Sequence, residues 1–114
     1  MVHSGMNPYF DGLEGDPATA AAACPGCATP LPVDAWAFSH RARSGDAVSD
    51  AHVAAFGLDR RHIGPFRVTR IAPDGVAAYV GEIQCPGCGR VAIVCLGLGE
   101  VQPARWMAWL VGVR

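Results

Sequence analysis

Cys85-Pro86-Gly87-Cys88-Gly89 repeats an earlier tetrapeptide, Cys24-Pro25-Gly26-Cys27. Two cysteines three apart on a tight turn can aim both sulfurs at one ion. Proline presets one backbone angle of such a turn, and glycine is expected to supply the unusual angle that follows. Backbone N–H groups of the turn can then donate to the thiolates and tune their charge. Two copies supply four soft sulfur donors, the complete set for a tetrahedral zinc. Other readings of the same residues are two separate redox pairs, half-sites completed by a second chain, or disulfide pairing. A redox Cys-x-x-Cys usually opens a helix after a strand, and neither copy has that setting.

Working outward from the second copy, Val76 to Gln84 reads as a strand entering it and Arg90 to Leu96 as a strand leaving it. Upstream, Phe66 to Ala72 is a further strand, joined to the next by Pro73-Asp74-Gly75, a turn signal. Ala47 to Leu58 is the helix candidate, with Val48, Ala51, Ala55 and Leu58 at helical spacing and Asp46 or Ser49 as cap. Arg60, Arg61 and His62 would follow its C-terminus, where cations suit the dipole. Val33 to Phe38 reads as a strand leaving the first copy, with Trp36 and Phe38 on one face. Gly97-Leu98-Gly99 is expected to loosen the chain. Residues 104–113 fit a strand or a helix; Val111-Gly112-Val113 favours the strand, which sends Trp106 and Trp109 to opposite faces.

The strands beginning at Val76, Arg90 and Trp106 are apolar on both faces. A sheet with one wet face alternates more cleanly, so this one should be covered on both sides, by the helix and the N-terminal segment, or show an apolar face to a partner. Residues 1–23 are expected to form a flexible acidic tail carrying Asp11, Glu14 and Asp16, with Pro8-Tyr9-Phe10 able to dock back. Residues 24–114 are expected to form one domain. The expected fold class is α+β: a small antiparallel sheet with one inserted helix.

At Cys85-Pro86-Gly87-Cys88-Gly89 the chain resembles the zinc-ribbon, or rubredoxin-type, knuckle. The first copy matches at Cys24, Pro25, Gly26 and Cys27, with Ala28 in place of the usual following glycine. The resemblance covers the two motifs and the flanking hairpin. It implies one structural Zn2+ per chain held by Cys24, Cys27, Cys85 and Cys88; iron would also suit four thiolates. The paired motifs also resemble bacterial double Cys-x-x-Cys-Gly proteins, some of them immunity partners of toxins. The segment between the motifs, Ala28 to Gln84, is long, but loop closure costs only about 0.6 kcal/mol per doubling of length.

Composition narrows the functional classes. Of 114 residues, 51% are apolar, enough to fill a core. A net charge of −1 gives no global field toward nucleic acid or membrane. With Asp11, Glu14 and Asp16 set aside, nine basic residues, all arginine, face seven acidic ones. Arg41, Arg43, Arg60, Arg61, Arg67 and Arg70 lie between the motifs and, if gathered on one surface, could grip phosphates. The fifth cysteine, Cys95, lies in an apolar run and reads as core. An odd count with a metal motif fits a reducing cytoplasm better than a disulfide scaffold; there is no basic, apolar leader and no apolar run long enough to cross a bilayer. His3, His40, His52 and His62 have no metal spacing among themselves, although His40 could replace a cysteine ligand. No His-x-Glu or phosphate-binding glycine loop is present. The expected function is a non-catalytic, zinc-stabilised protein-interaction module, of immunity or adaptor type, using its apolar sheet and C-terminal tryptophans as the contact surface. A nucleic-acid-binding zinc ribbon using the arginines is the alternative, and a thiol redox protein the third.

Overall fold

The computed structural model describes residues 8–71 and 76–114, and the side chains of Arg67 and Ile71 fall outside that description. The Pro73-Asp74-Gly75 turn and His3 therefore lie outside the described residues.

Eight strands and two short α-helices follow in the order β1 (Phe10–Gly12), β2 (Thr19–Ala23), β3 (Pro30–Asp34), α1 (Ala35–Arg41), α2 (Asp50–Phe56), β4 (Asp59–Ile63), β5 (Phe66–Ile71), β6 (Val76–Gln84), β7 (Val91–Gln102) and β8 (Arg105–Val113), with a 3-10 turn at Gly45–Ala47. Six of the strands form one antiparallel sheet in the order β1-β8-β7-β6-β5-β4, while β2 and β3 form a separate hairpin. The α+β class agrees with the expectation; several elements do not.

Residues 10–23 contribute two of the strands. Phe10–Gly12 pairs with Trp106–Ala108 at the sheet edge, and Thr19–Ala23 pairs with Pro30–Asp34. Phe10 is buried, and Arg105 grips both carboxylate oxygens of Asp11. This ion pair is exposed and screened by solvent, so the buried Phe10 ring is the stronger anchor.

Two helices form rather than one. Trp36 and Phe38 belong to α1, not to a strand. The cause is local: Asp34 accepts from the N–H groups of Trp36 (3.0 Å) and Ala37 (3.1 Å) and starts a helix there. The second helix is shorter than expected. Ser49 caps its start through the His52 N–H, and Gly57, at φ +63°, ends it. Arg60, Arg61 and His62 lie in β4, not at a helix terminus. Gly97-Leu98-Gly99 does not loosen the chain either; it continues β7, with Gly99 close to the Val76 side chain. Residues 105–113 are a strand.

The sheet is covered on both faces. On one face Ala92, Val94, Leu96, Leu98 and Ala108 pack beneath the β2–β3 hairpin and α1, which contribute Ala22, Leu31, Val33 and Phe38. On the other, Ala78, Val80, Cys95 and Trp109 pack beneath Val48 and the α2 side chains Val53 and Phe56. Each large apolar side chain buried this way contributes about 1.5–3 kcal/mol. Trp106 and Trp109 fall on opposite faces, as strand alternation requires. Trp109 is fully buried, so it offers nothing to a partner, whereas Trp106 stays partly exposed. No described helix is long and apolar enough to cross a membrane.

Candidate metal centre

Each Cys-Pro-Gly-Cys motif forms the tip of a β-hairpin. Cys24 to Thr29 joins β2 to β3, and Cys85 to Arg90 joins β6 to β7. The two tips use the same backbone bonds. The Cys24 N–H donates to the Thr29 carbonyl and the Ala28 N–H to the Cys24 carbonyl; the Cys85 N–H donates to the Arg90 carbonyl and the Gly89 N–H to the Cys85 carbonyl. The third residue of each motif points its N–H at the first sulfur: Gly26 to Cys24 at 3.4 Å and Gly87 to Cys85 at 3.3 Å. Identical local sequence thus gives identical local structure, 61 positions apart by residue number.

The tips meet where the β2–β3 hairpin lies over the sheet. The ligand atoms of Cys24, Cys27, Cys85 and Cys88 all lie within 4.8 Å of one another. Each inner, buried cysteine faces the outer, exposed cysteine of the other tip: Cys24 to Cys88 at 3.8 Å and Cys27 to Cys85 at 3.6 Å. A Zn–S bond of about 2.3 Å in a tetrahedron spaces its sulfurs by about 3.8 Å. A disulfide needs about 2.05 Å. The four sulfurs are therefore close enough to hold one ion, and the expected residues are the ones brought together.

Cys27 and Cys88 are shifted in opposite directions from the ordinary thiol value. The Thr29 hydroxyl, 3.0 Å from the Cys27 sulfur, together with the Thr29 N–H and Cys85, lowers Cys27 to about 6. Cys24 is lowered as well, by the N–H groups of Gly26 and Cys27. At Cys88 the Arg90 N–H favours the thiolate, but Cys27, burial and the other two sulfurs outweigh it and raise the thiol to about 11. Four sulfurs this close cannot all ionise without a counter-charge. A divalent cation supplies one, so the donor set fits a bound metal ion.

Three features of the site were not read from the sequence. The positive backbone angle falls at Ala28 (φ 65°) and Gly89 (φ 76°), not at the glycines inside the motifs. Gly26 and Gly87 are needed for close approach instead. A Cβ at Gly87 would lie within 3.0 Å of the Thr29 hydroxyl and 3.2 Å from its Cβ, while one at Gly26 would meet Arg90 Cδ at 3.1 Å. Each motif glycine therefore seats the residue that follows the other tip. Thr29 was the third omission; its position, matching Arg90 after aligning the two copies, was the available signal.

The remaining candidates lie elsewhere. Cys95 is fully buried between Val80 and Trp109, and burial raises its thiol to about 12. His40 belongs to α1, and His62 is exposed on β4. Among the insertion arginines, Arg60 bonds Asp50 (2.5 Å) and the Val48 carbonyl, Arg61 bonds Asp59 (2.5 Å), Arg70 approaches Asp59 at 3.9 Å, and Arg41 lies over the Phe38 ring. Arg60, Arg61 and Arg70 face two aspartates between them, which offset two of their three charges.

No protein-family model, curated protein or solved structure matches the chain.

Proposed function

We propose that the protein is a non-catalytic interaction module held together by one structural zinc. The observation that carries this reading is the convergence of four sulfurs, two from each hairpin tip, at tetrahedral spacing. Cys24 and Cys27 belong to the hairpin layer and Cys85 and Cys88 to the main sheet, so an ion here would join two layers that share no backbone pairing. Four thiolates fill a tetrahedral shell and leave no open position for substrate, unlike a catalytic zinc. Two knuckle-tipped hairpins are in keeping with the zinc-ribbon resemblance; zinc is taken over iron because the segment between the motifs, Ala28 to Gln84, is longer than rubredoxin-type sites usually have. The expected partner is another protein, in the manner of an immunity or adaptor protein in a bacterial cytoplasm.

The nucleic-acid alternative loses support from Asp50 and Asp59, which engage Arg60, Arg61 and Arg70. The redox alternative loses support from the hairpin setting, because neither motif opens a helix. Metal content per chain, measured by elemental analysis with native mass spectrometry on wild type and Cys85→Ser, tests the proposal. One zinc per monomer, lost in the variant together with a large part of the folding stability, is expected. Half an equivalent would place the site between chains. Metal-free protein with a Cys–Cys disulfide would overturn the reading in favour of thiol redox chemistry, and tight salt-sensitive binding to DNA or RNA by a strict monomer would overturn the protein-partner assignment.

A further inference from the structure

Away from the sulfurs, a cleft of about 370 Å³ opens between α1 and the sheet. Trp36, Ser39 and His40 line it from α1, Tyr79, Leu98 and Trp106 from three adjacent strands, and Glu14 and Gly15 from the turn before β2. The metal reading makes no use of any of these residues.

The walls have a specific geometry. Trp36 and Trp106 meet edge to face, with centroids 5.5 Å apart and planes at 73°. Two nearly perpendicular indoles form a corner, and a group seated in it meets the face of at least one ring. Phe10 braces Trp36 from behind, again edge to face at 5.6 Å. The Trp36 indole N–H donates to the Asp16 carbonyl at 2.8 Å, and the Ser39 hydroxyl donates to the Trp36 carbonyl at 2.9 Å. The turn holding Glu14 is closed by the Asp16 N–H on the Leu13 carbonyl and by the Leu13 N–H on the Asp16 carboxylate. Glu14 is therefore fixed beside the corner by backbone bonds, while its own carboxylate makes no ion pair or hydrogen bond among the described residues.

Ring faces and a free carboxylate complement a cation. The type of cation follows from how few acceptors the walls hold: the lining is mostly apolar, and beyond Glu14 its polar side chains are Ser39, turned onto the Trp36 carbonyl, His40 and Tyr79. A primary ammonium or a guanidinium brings several N–H donors that need acceptors, and donors left unmatched in an apolar site are costly. A methylated ammonium spreads its charge over C–H surface and needs no acceptors. The volume lies at the small end of the range for ligand pockets, which suits a compact molecule.

We propose that this cleft binds a small quaternary-ammonium compound of the choline type, with Trp36, Trp106 and Tyr79 around the ammonium and Glu14 as the countercharge. The proposal rests on the binding-module reading in that the ligand is held and not transformed; it does not depend on which metal the cysteines take.

Calorimetric titration of the metal-loaded protein with choline tests it, alongside the neutral isostere in which carbon replaces the ammonium nitrogen, and glycine betaine. Choline should bind, and the isostere at least tenfold more weakly, the size expected for a desolvated cation–π contact. Betaine should fall between them, because its carboxylate faces Glu14. Trp106→Ala should weaken choline binding tenfold or more. Glu14→Gln changes an exposed residue with no structural bond and should weaken choline but not the isostere. Metal content of both variants should equal that of wild type, so failure here leaves the metal reading intact and loss of metal would be seen separately. Equal binding of choline and isostere, unchanged binding in both variants, or no choline binding would overturn the proposal. Binding of a trimethyllysine peptide without binding of free choline would also overturn it and assign the corner to a protein side chain.

Discussion

A methyl group added at Gly87 would be driven into Thr29. Its Cβ would lie within 3.0 Å of the Thr29 hydroxyl and 3.2 Å from the Thr29 Cβ. The hydroxyl cannot swing aside freely, because it is engaged with Cys27 at 3.0 Å. Relief requires either breaking that contact or separating the two hairpin tips, and separation lengthens the sulfur spacings of 3.6 and 3.8 Å. Forcing a methyl into a packed site costs about 1–3 kcal/mol. A cost of about 2 kcal/mol corresponds to roughly thirtyfold in an equilibrium constant, expected in metal affinity by chelator competition and in the urea midpoint of the metal-loaded protein. The paired position provides the control. At Gly26 the added carbon meets Arg90 Cδ at 3.1 Å, part of a flexible side chain, so Gly26→Ala should cost under about 1 kcal/mol. Thr29→Ala removes the hydroxyl and methyl that obstruct Gly87→Ala, so the double variant should recover most of the loss, a coupling readable from the cycle. Gly87→Ala matching wild type, or no rescue by Thr29→Ala, would refute the argument that the motif glycines serve close approach.

Ala28 and Gly89 occupy the same left-handed position in the two tips, where a side chain costs about 1–2 kcal/mol. Ala28→Gly should therefore raise the unfolding free energy measured in urea by about 0.5–1 kcal/mol after the extra chain entropy of glycine, and Gly89→Ala should lower it by a similar amount. Cys95→Ala should leave metal stoichiometry unchanged in elemental analysis and cost about 1 kcal/mol for the small cavity in the core. The metal-free protein should show a stability maximum between the shifted thiols. Cys27, lowered to about 6, contributes fully above the ordinary thiol value of 9.0 and loses that contribution as pH falls through about 6. Cys88, raised to about 11, contributes below 9.0 and loses it as pH rises toward 11. Urea midpoints of chelated protein across this range would check both limbs; a flat profile would contradict the opposed titrations.

The four clustered cysteines were legible because their chemistry is local. A Cys-Pro-Gly-Cys turn fixes two sulfurs within a few residues, and repetition of the turn announces a second pair. The strands flanking Cys85 to Cys88 were legible for the same reason, as was the two-faced apolar character of β6, β7 and β8. What the sequence by itself determined was therefore the donor set and the need for two covers on one sheet. It did not determine what the covers were. Residues 10–23 are acidic and rich in alanine and glycine, with no pattern strong enough to announce strands, and they become ordered only because β8 offers an edge and β3 a partner. Trp36 and Phe38 satisfied strand alternation, but a single Asp34 cap turned that segment into α1. The requirement for Gly26 and Gly87 arises between the tips rather than within them. The corner of Trp36, Trp106, Tyr79 and Glu14 draws on four separate stretches of chain. These features depend on contacts between residues distant in sequence, which periodicity and turn chemistry do not encode, and only the tertiary structure decided them.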